Sequence, residues 1–322
     1  MPVKRSAILR WTGMGSPRDL LSSIGHVLRA HRAGADVSLV GWSVLASRSD
    51  PIQVASILQH MPGVAWIAAG YAGSQSEVRE AAAALAKLYL RRGDMFSVLA
   101  EGTGGALASD LGGAATSSIL DSVKGARVSE RPRIVFRAVE DGKKCAVGVE
   151  LKLGPGGIPT GSESAVCMVS GGVHSGVAAW MATLAGFRVR LVHARVSEQS
   201  LLAVARLYSE LSNRADPRGL SLEVLEGGSV PGMIADYTYK ATGRLFGGFH
   251  AAGGDVPPSL KGGVASPLYL LPESGFRSEF ESLGTKPFEL KQRWDRGQGG
   301  MVSSRTFSGG PADVNGVLDG LA

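Results

Sequence analysis

The chain has 322 residues, enough for two or three domains with substantial cores. With 44% hydrophobic and 19% charged residues, it is globular rather than disordered. Lys+Arg 34 against Asp+Glu 28 leaves a formal charge of +6, which permits a polyanionic partner without demanding one. Glycine, at 45 residues, is about twice its usual share of roughly 7%. The excess falls in loops and in the last third of the chain. The two cysteines, Cys145 and Cys167, sit in apolar strand-like runs and read as small core residues; neither a disulfide framework nor metal-ligand spacing is implied. No apolar run reaches the roughly 18 residues that a membrane helix needs. The basic start, Met1 to Ser6, is followed by no apolar signal core, so a cytoplasmic protein without membrane contact is expected.

Residues 1–72 read as a small α+β unit. A strand covers 6–11 and a helix runs from Pro17 to about Arg32. A strand or strand pair follows over 37–45. Asp50-Pro51 gives an N-cap and a first-turn proline for a helix to about His60. Met61-Pro62-Gly63 breaks that helix before a strand at 64–71.

A second unit spans 73–155. It has an alanine-rich helix over 77–90, whose end carries Arg91 and Arg92 against the helix dipole. A strand at 95–100 and a helix at 112–123 follow. Strands at 133–139 and 144–151 join through Glu140-Asp141-Gly142-Lys143 as a hairpin with an Asp-Gly turn.

Gly156-Gly157-Ile158-Pro159-Thr160-Gly161 is rich in turn formers and reads as a linker into a third unit, 156–295. Strands at 165–169, 188–194 and 220–225 alternate with helices at 175–185 and 197–213. That alternation predicts a doubly wound parallel sheet with its ligand at the carboxyl ends of the strands. Residues 231–244 read as helical, 247–263 as a Gly/Pro-rich loop, 267–271 as a strand and 274–283 as a helix. A Gly/Ser-rich tail covers 296–322.

The first of these third-unit strands ends in Val169-Ser170-Gly171-Gly172-Val173-His174-Ser175-Gly176, ahead of an alanine-rich helix. A turn of small residues between strand and helix lets backbone N–H groups close on a phosphate, and the helix adds its positive end. A histidine stands in the middle of the turn.

The linker and this loop together resemble the tRNA 4-thiouridine synthetase family, the ThiI-type sulfurtransferases, with this chain as a divergent, archaeal-like member. Met61-Pro62-Gly63-Val64 fits the family's turn before its second domain, and Pro267-Leu268 with Leu283-Gly284-Thr285 resembles a later region. The resemblance implies an α/β protein of three parts. They are an N-terminal ferredoxin-like α+β domain, a THUMP α/β domain, and a doubly wound parallel-sheet PP-loop domain of the ATP pyrophosphatase kind. It implies tRNA as partner, ATP and Mg²⁺ as cofactors, and a homodimer. In the implied reaction ATP is cleaved to AMP and pyrophosphate as a uridine oxygen is adenylated, and persulfide sulfur then displaces AMP.

The departures are specific. The family loop reads Ser-Gly-Gly-x-Asp-Ser, and here His174 replaces the aspartate. The family's basic THUMP strand is matched by Ser97-Val98-Leu99-Ala100-Glu101-Gly102, which carries no cation. Its late active-site loop has a weak counterpart from Gly247 to Pro258. No cysteine follows Gly284-Thr285, where the persulfide-forming residue would stand; a separate donor protein could still supply the sulfur.

The nucleotide-binding residues expected are Val169, Ser170, Gly171, Gly172, His174, Ser175, Gly176 and Ala194. His174 would touch phosphate if protonated, and otherwise pack or donate one hydrogen bond. His193 reads either as a residue near the nucleotide or as a core histidine. RNA contacts are expected from Arg127, Arg131, Arg133, Lys143 and Lys144. Arg137, the basic start (Lys4, Arg5, Arg10) and Lys291, Arg293 and Arg296 are further candidates. No catalytic residue or metal ligand is assigned. Two other readings stay open: a non-catalytic nucleotide- or RNA-binding paralogue, and a PP-loop adenylating enzyme with another acceptor.

Overall fold

The computed structural model describes residues 4–47, 49–103, 105–171, 173–227, 244–247, 303–308 and 314–321. They divide between two compact units, Met1–Pro159 and Thr160–Ala322.

In the first unit the strands are β1 (Lys4–Trp11), β2 (Asp36–Val40), β3 (Ser43–Ser47), β4 (Val64–Gly73), β5 (Met95–Gly102), β6 (Arg127–Val128), β7 (Ile134–Glu140) and β8 (Cys145–Gly156). They form one eight-stranded sheet in the order β2-β3-β1-β4-β8-β7-β5-β6. The helices are α1 (Pro17–Ala30), α2 (Pro51–Leu58), α3 (Gln75–Tyr89) and α4 (Gly105–Ser122). Their starts follow from local chemistry. Ser16 accepts from the amides of Arg18 and Asp19 ahead of α1, and Asp50 accepts from the amide of Ile52 ahead of α2, each with proline next in the chain. At α3 the Glu77 carboxylate accepts from the amide of Ser74, 2.7 Å away, in a capping box.

Buried clusters on both halves of the sheet hold this unit together. One joins β1, β3 and β4 to α1 and α2 through Leu9, Leu20, Ile24, Val44, Val54 and Ile67. Another joins β5, β7 and β8 to α3 and α4, with Phe96 and Phe136 meeting edge to face at 6.0 Å. Helix α4 starts at Gly105, earlier than expected at 112. A Cβ on Gly112, well inside the helix, would stand 2.9 Å from that of Ala100. The glycine lets α4 lie close on β5. The β7–β8 hairpin has the expected Asp-Gly turn: Gly142 is left-handed at φ +82°, and the Asp141 carboxylate accepts from the amides of Lys143 and Lys144.

The second unit holds β9 (Ser164–Met168), α5 (Val173–Leu184), β10 (Arg188–Ala194), α6 (Glu198–Ser212), a 3-10 turn (Pro217–Gly219) and β11 (Leu220–Glu226). It continues with β12 (Arg244–Gly247), β13 (Ser303–Ser308) and α7 (Val314–Leu321). The sheet order is β12-β9-β10-β11-β13, with the first four strands parallel and β13 antiparallel at the edge. The chain leaves β9 for β10 on one side, and β12 lies on the other, which is the strand reversal of a doubly wound sheet. Cys167, Leu191, Val204, Tyr208, Leu211 and Leu222 centre its core.

Two stretches differ from their sequence reading. Arg244, expected at the end of a helix, begins β12. Within the Gly/Ser-rich tail, β13 pairs with β11 from Ser221↔Ser308 to Glu226↔Ser303, Phe307 meets Tyr208 edge-on at 5.2 Å, and Val317 of α7 is buried. Apolar residues placed among glycines and serines are sparse enough to hide from a compositional reading, yet they suffice to cover one sheet edge. The strand expected at 267–271, the helix at 274–283, Leu283-Gly284-Thr285 and Lys291, Arg293 and Arg296 lie outside the described residues.

Candidate functional site

Strand β9 is buried from Ala165 to Met168, and Val169 continues it by donating its N–H to the Val192 carbonyl at 2.8 Å. The chain then turns through Ser170 and Gly171, whose φ of +84° is the left-handed conformation that glycine adopts without strain. Helix α5 opens at Val173, and its first turn holds no acidic side chain. Ser175, on that turn, is buried; its hydroxyl accepts from the Ser170 amide at 3.3 Å and lies 3.5 Å from the Ser170 hydroxyl. Val169, Ser170, Gly171, Ser175 and Gly176 therefore come together at the carboxyl end of β9. The register Met168↔Val192 brings Ala194 level with Ser170. Gly172 and the His174 side chain lie outside the description; the His174 backbone belongs to the first turn of α5. Gly247 pairs with Met168 on the other flank of β9. The loop thus stands at the strand reversal, where open α/β sheets bind ligands.

His193 is buried, 1% exposed, beneath this loop. Its Nδ1 lies 2.9 Å from the Val169 carbonyl and its Nε2 3.2 Å from the Ser200 hydroxyl on α6. A carbonyl only accepts, so Nδ1 carries the proton; in the neutral ring Nε2 faces the Ser200 hydroxyl as a lone pair and competes with the Ser197 carbonyl for its one proton. Burial pulls its pKa down to about 4; the bond to Val169 opposes this and the charge of Arg195 adds to it. The ring is a neutral core imidazole. Arg195, next in the chain, is ion-paired with Glu198 and Glu226, and Arg305 approaches Glu226 at 3.8 Å. That charge is neutralised within the fold.

Neither cysteine is poised as a nucleophile. Burial pushes the Cys167 thiol up to about 12, and burial with Glu140 and Asp141 nearby raises that of Cys145. Among the described residues no group of three or more His, Cys, Asp or Glu side chains converges on a metal position. The stretch 165–176 contains no acidic residue. The loop therefore fits a phosphate group, and it offers Mg²⁺ no carboxylate of its own.

The basic residues separate into two places. Arg133 stands at the start of β7, with its guanidinium 2.9 Å from Asp94; Lys143 and Lys144 lie at the other end, beyond Glu140. A strand of that length puts them roughly 20 Å or more apart. Arg127 and Arg131 are exposed near Arg133, and so are Arg91, Arg92 and Lys124. Backbone bonds from Gly93 to the Gly125 carbonyl (3.2 Å) and from Arg127 to the Asp94 carbonyl (3.0 Å) hold these loops side by side. In the sequence, Arg91 and Arg92 read only as a favourable helix end, and nothing marked Lys124 as their neighbour. Arg137 does not join them: it pairs with Glu150 at 2.6 Å and covers the Trp66 ring at 4.7 Å. Arg10 pairs with Glu101 and with the carbonyls of Trp11 and Trp42. Lys4 and Arg5 are exposed.

No protein-family model matches the chain. A tRNA sulfurtransferase of Desulfurococcus amylolyticus is 32% identical over 100 residues, which is 29% of this chain and 21% of that protein's length. Two solved structures share the fold over 87% of this chain at 17% identity. One is PH1313 from Pyrococcus horikoshii, covered over its full length with a TM-score of 0.67. The other is a 4-thiouridine synthetase solved with RNA and bound ATP, 85% of which is covered with a TM-score of 0.64. The α/β fold and the resemblance to the 4-thiouridine synthetases read from the sequence are thus both shown. Among the described residues no helix is long and apolar enough to cross a membrane.

Proposed function

We propose that this ThiI-like chain binds tRNA and adenine nucleotides, with a PP-loop altered at His174 and no cysteine of its own for sulfur transfer. The observation that carries the reading is the Ser170–Gly171–Ser175 cradle at the carboxyl end of β9, between β10 and β12. Backbone N–H groups there, the Ser175 hydroxyl and the start of α5 would hold the phosphates of ATP or AMP. Gly172 and His174 complete the loop in sequence, and Ala194 flanks it. Mg²⁺ would reach the site on phosphate oxygens and water, since no acidic side chain stands in 165–176.

The domain reading goes with this. Residues 1–72 act as the ferredoxin-like part, 73–155 as the THUMP part and 156–295 as the PP-loop part, within a cytoplasmic homodimer. The RNA phosphates would meet Arg127, Arg131 and Arg133, joined by Arg91, Arg92 and Lys124. Lys143 and Lys144 form a separate, second contact. The reaction under this reading is ATP-dependent thiolation of a tRNA uridine with sulfur from an external donor protein. Calorimetry with ATP tests the nucleotide half, and His174→Asp should raise turnover by restoring the carboxylate. Mass spectrometry of tRNA from a strain lacking the gene tests the thiolation half; unchanged 4-thiouridine would remove it.

A second reading, a non-catalytic paralogue that keeps nucleotide and RNA binding, draws support from the replaced aspartate and from two cysteines whose thiols are held protonated. Nucleotide binding without tRNA-stimulated pyrophosphate release would favour it. Release stimulated by a small molecule would favour an adenylating enzyme with another acceptor.

A further inference from the structure

We infer that His193 is a positioning residue for the β9–α5 loop, fixing the Val169 carbonyl at the last rung of the sheet so that Ser170 and Gly171 start from a set geometry. The inference rests on the reading of that loop as the nucleotide cradle. Both polar backbone atoms of Val169 are held by β10. Its N–H donates to the Val192 carbonyl at 2.8 Å, and its carbonyl accepts from His193 Nδ1 at 2.9 Å. In a parallel ladder the next rung would bring the Ala194 amide to that carbonyl. The imidazole stands there instead. A side chain is longer than a backbone N–H, so β9 and β10 can part at this level while the carbonyl stays bonded.

The other ring nitrogen ties the same imidazole to α6. Nε2 lies 3.2 Å from Ser200 Oγ, which also lies 2.8 Å from the Ser197 carbonyl and 3.3 Å from the Ser197 amide. Ser197 is the N-cap of α6. One buried ring therefore joins the end of β9, the end of β10 and the start of α6, and sets where the loop begins relative to Ala194.

Two variants separate positioning from bulk. His193→Phe keeps much of the volume and loses the donor. His193→Asn keeps an N–H close to the place of Nδ1. Hydrogen exchange at the amides of Ser170 and Gly171 is read without nucleotide, beside ATP affinity and thermal unfolding. The Phe variant should exchange there about tenfold faster and bind ATP about tenfold more weakly, the scale of one lost buried hydrogen bond. The Asn variant should lie near wild type in both. Ser200→Ala, which retains the Val169 bond, should move both readouts less; it also serves if the Phe variant does not fold. Wild-type exchange and affinity in the Phe variant would overturn the inference, as would equal damage from Phe and Asn. If wild type itself binds no adenine nucleotide, the reading of the loop fails, and the exchange arm alone decides the role of His193.

Discussion

The amide of Ser170 donates to the hydroxyl of Ser175 at 3.3 Å, closing the β9–α5 loop across its own mouth. Ser175 is 2% exposed and sits on the first turn of α5, so the bond fastens the loop to the helix end that would face a phosphate. Ser175→Ala removes this closure and one hydroxyl from the cradle. Its ATP affinity should fall about tenfold, while stability changes by about 1 kcal/mol. Calorimetry and urea unfolding on the same sample check both parts.

The low pKa of His193 makes stability depend on pH. The folded value is about 4, against 6.5 for the free group. Between those values the unfolded chain binds a proton that the folded chain does not, so stability falls as pH drops from 6.5 to 4 and levels off below. A shift of that size corresponds to an order of about 3 kcal/mol. Urea unfolding of wild type and His193→Asn across this window should give a shallower decline for the variant. Parallel curves would contradict the buried neutral imidazole.

RNA binding should be governed by the loops around Arg127. Replacing Arg91, Arg92, Lys124, Arg127 and Arg131 with alanine one at a time should weaken binding and lower the salt slope by roughly 0.7–0.9 for each lost phosphate contact. Arg133→Ala should cost less, since its guanidinium already pairs with Asp94 at 2.9 Å. Arg137→Ala should leave the slope alone, because its charge is spent on Glu150 and Trp66. Binding isotherms at four salt concentrations provide the slopes.

The late edge strand should matter to the second unit's stability. Phe307 packs edge-on against Tyr208 at 5.2 Å, and Tyr208 is fully buried. Phe307→Ala opens that contact and should destabilise the unit by about 2–3 kcal/mol, near the low end for losing a large aromatic side chain because Phe307 is only partly buried. Thermal unfolding followed by near-UV circular dichroism reads it.

Much of the architecture was legible because the signals were local. Ser16-Pro17 and Asp50-Pro51 announce their helices through caps, Asp141-Gly142 announces its hairpin through a left-handed turn, and 165–194 alternates strand and helix cleanly. Gly112 lies inside α4 rather than at its start; its small size serves packing against Ala100, and one chain cannot reveal that neighbour. Strand β13 was missed because its partner β11 lies some 80 residues earlier, and such pairing leaves no local period. At the site, the loop could be read as a strand–turn–helix pattern. The role of His193 could not, since it depends on a carbonyl and a hydroxyl that only the fold brings to the two faces of one ring. The basic residues show the same limit: Lys143 and Lys144 stand close to Arg133 in sequence and at the far end of β7 in space.

The central claim is that the loop from Ser170 to Ser175 cradles the phosphates of an adenine nucleotide. Titrating this 322-residue chain with ATP and with adenosine by calorimetry tests it most directly, with Gly171→Val as the control that a left-handed backbone should not tolerate. The account predicts saturable, one-site binding of ATP, far weaker binding of adenosine, and loss of ATP binding in the folded variant. Equal affinity for ATP and adenosine, or no heat with either, would contradict it.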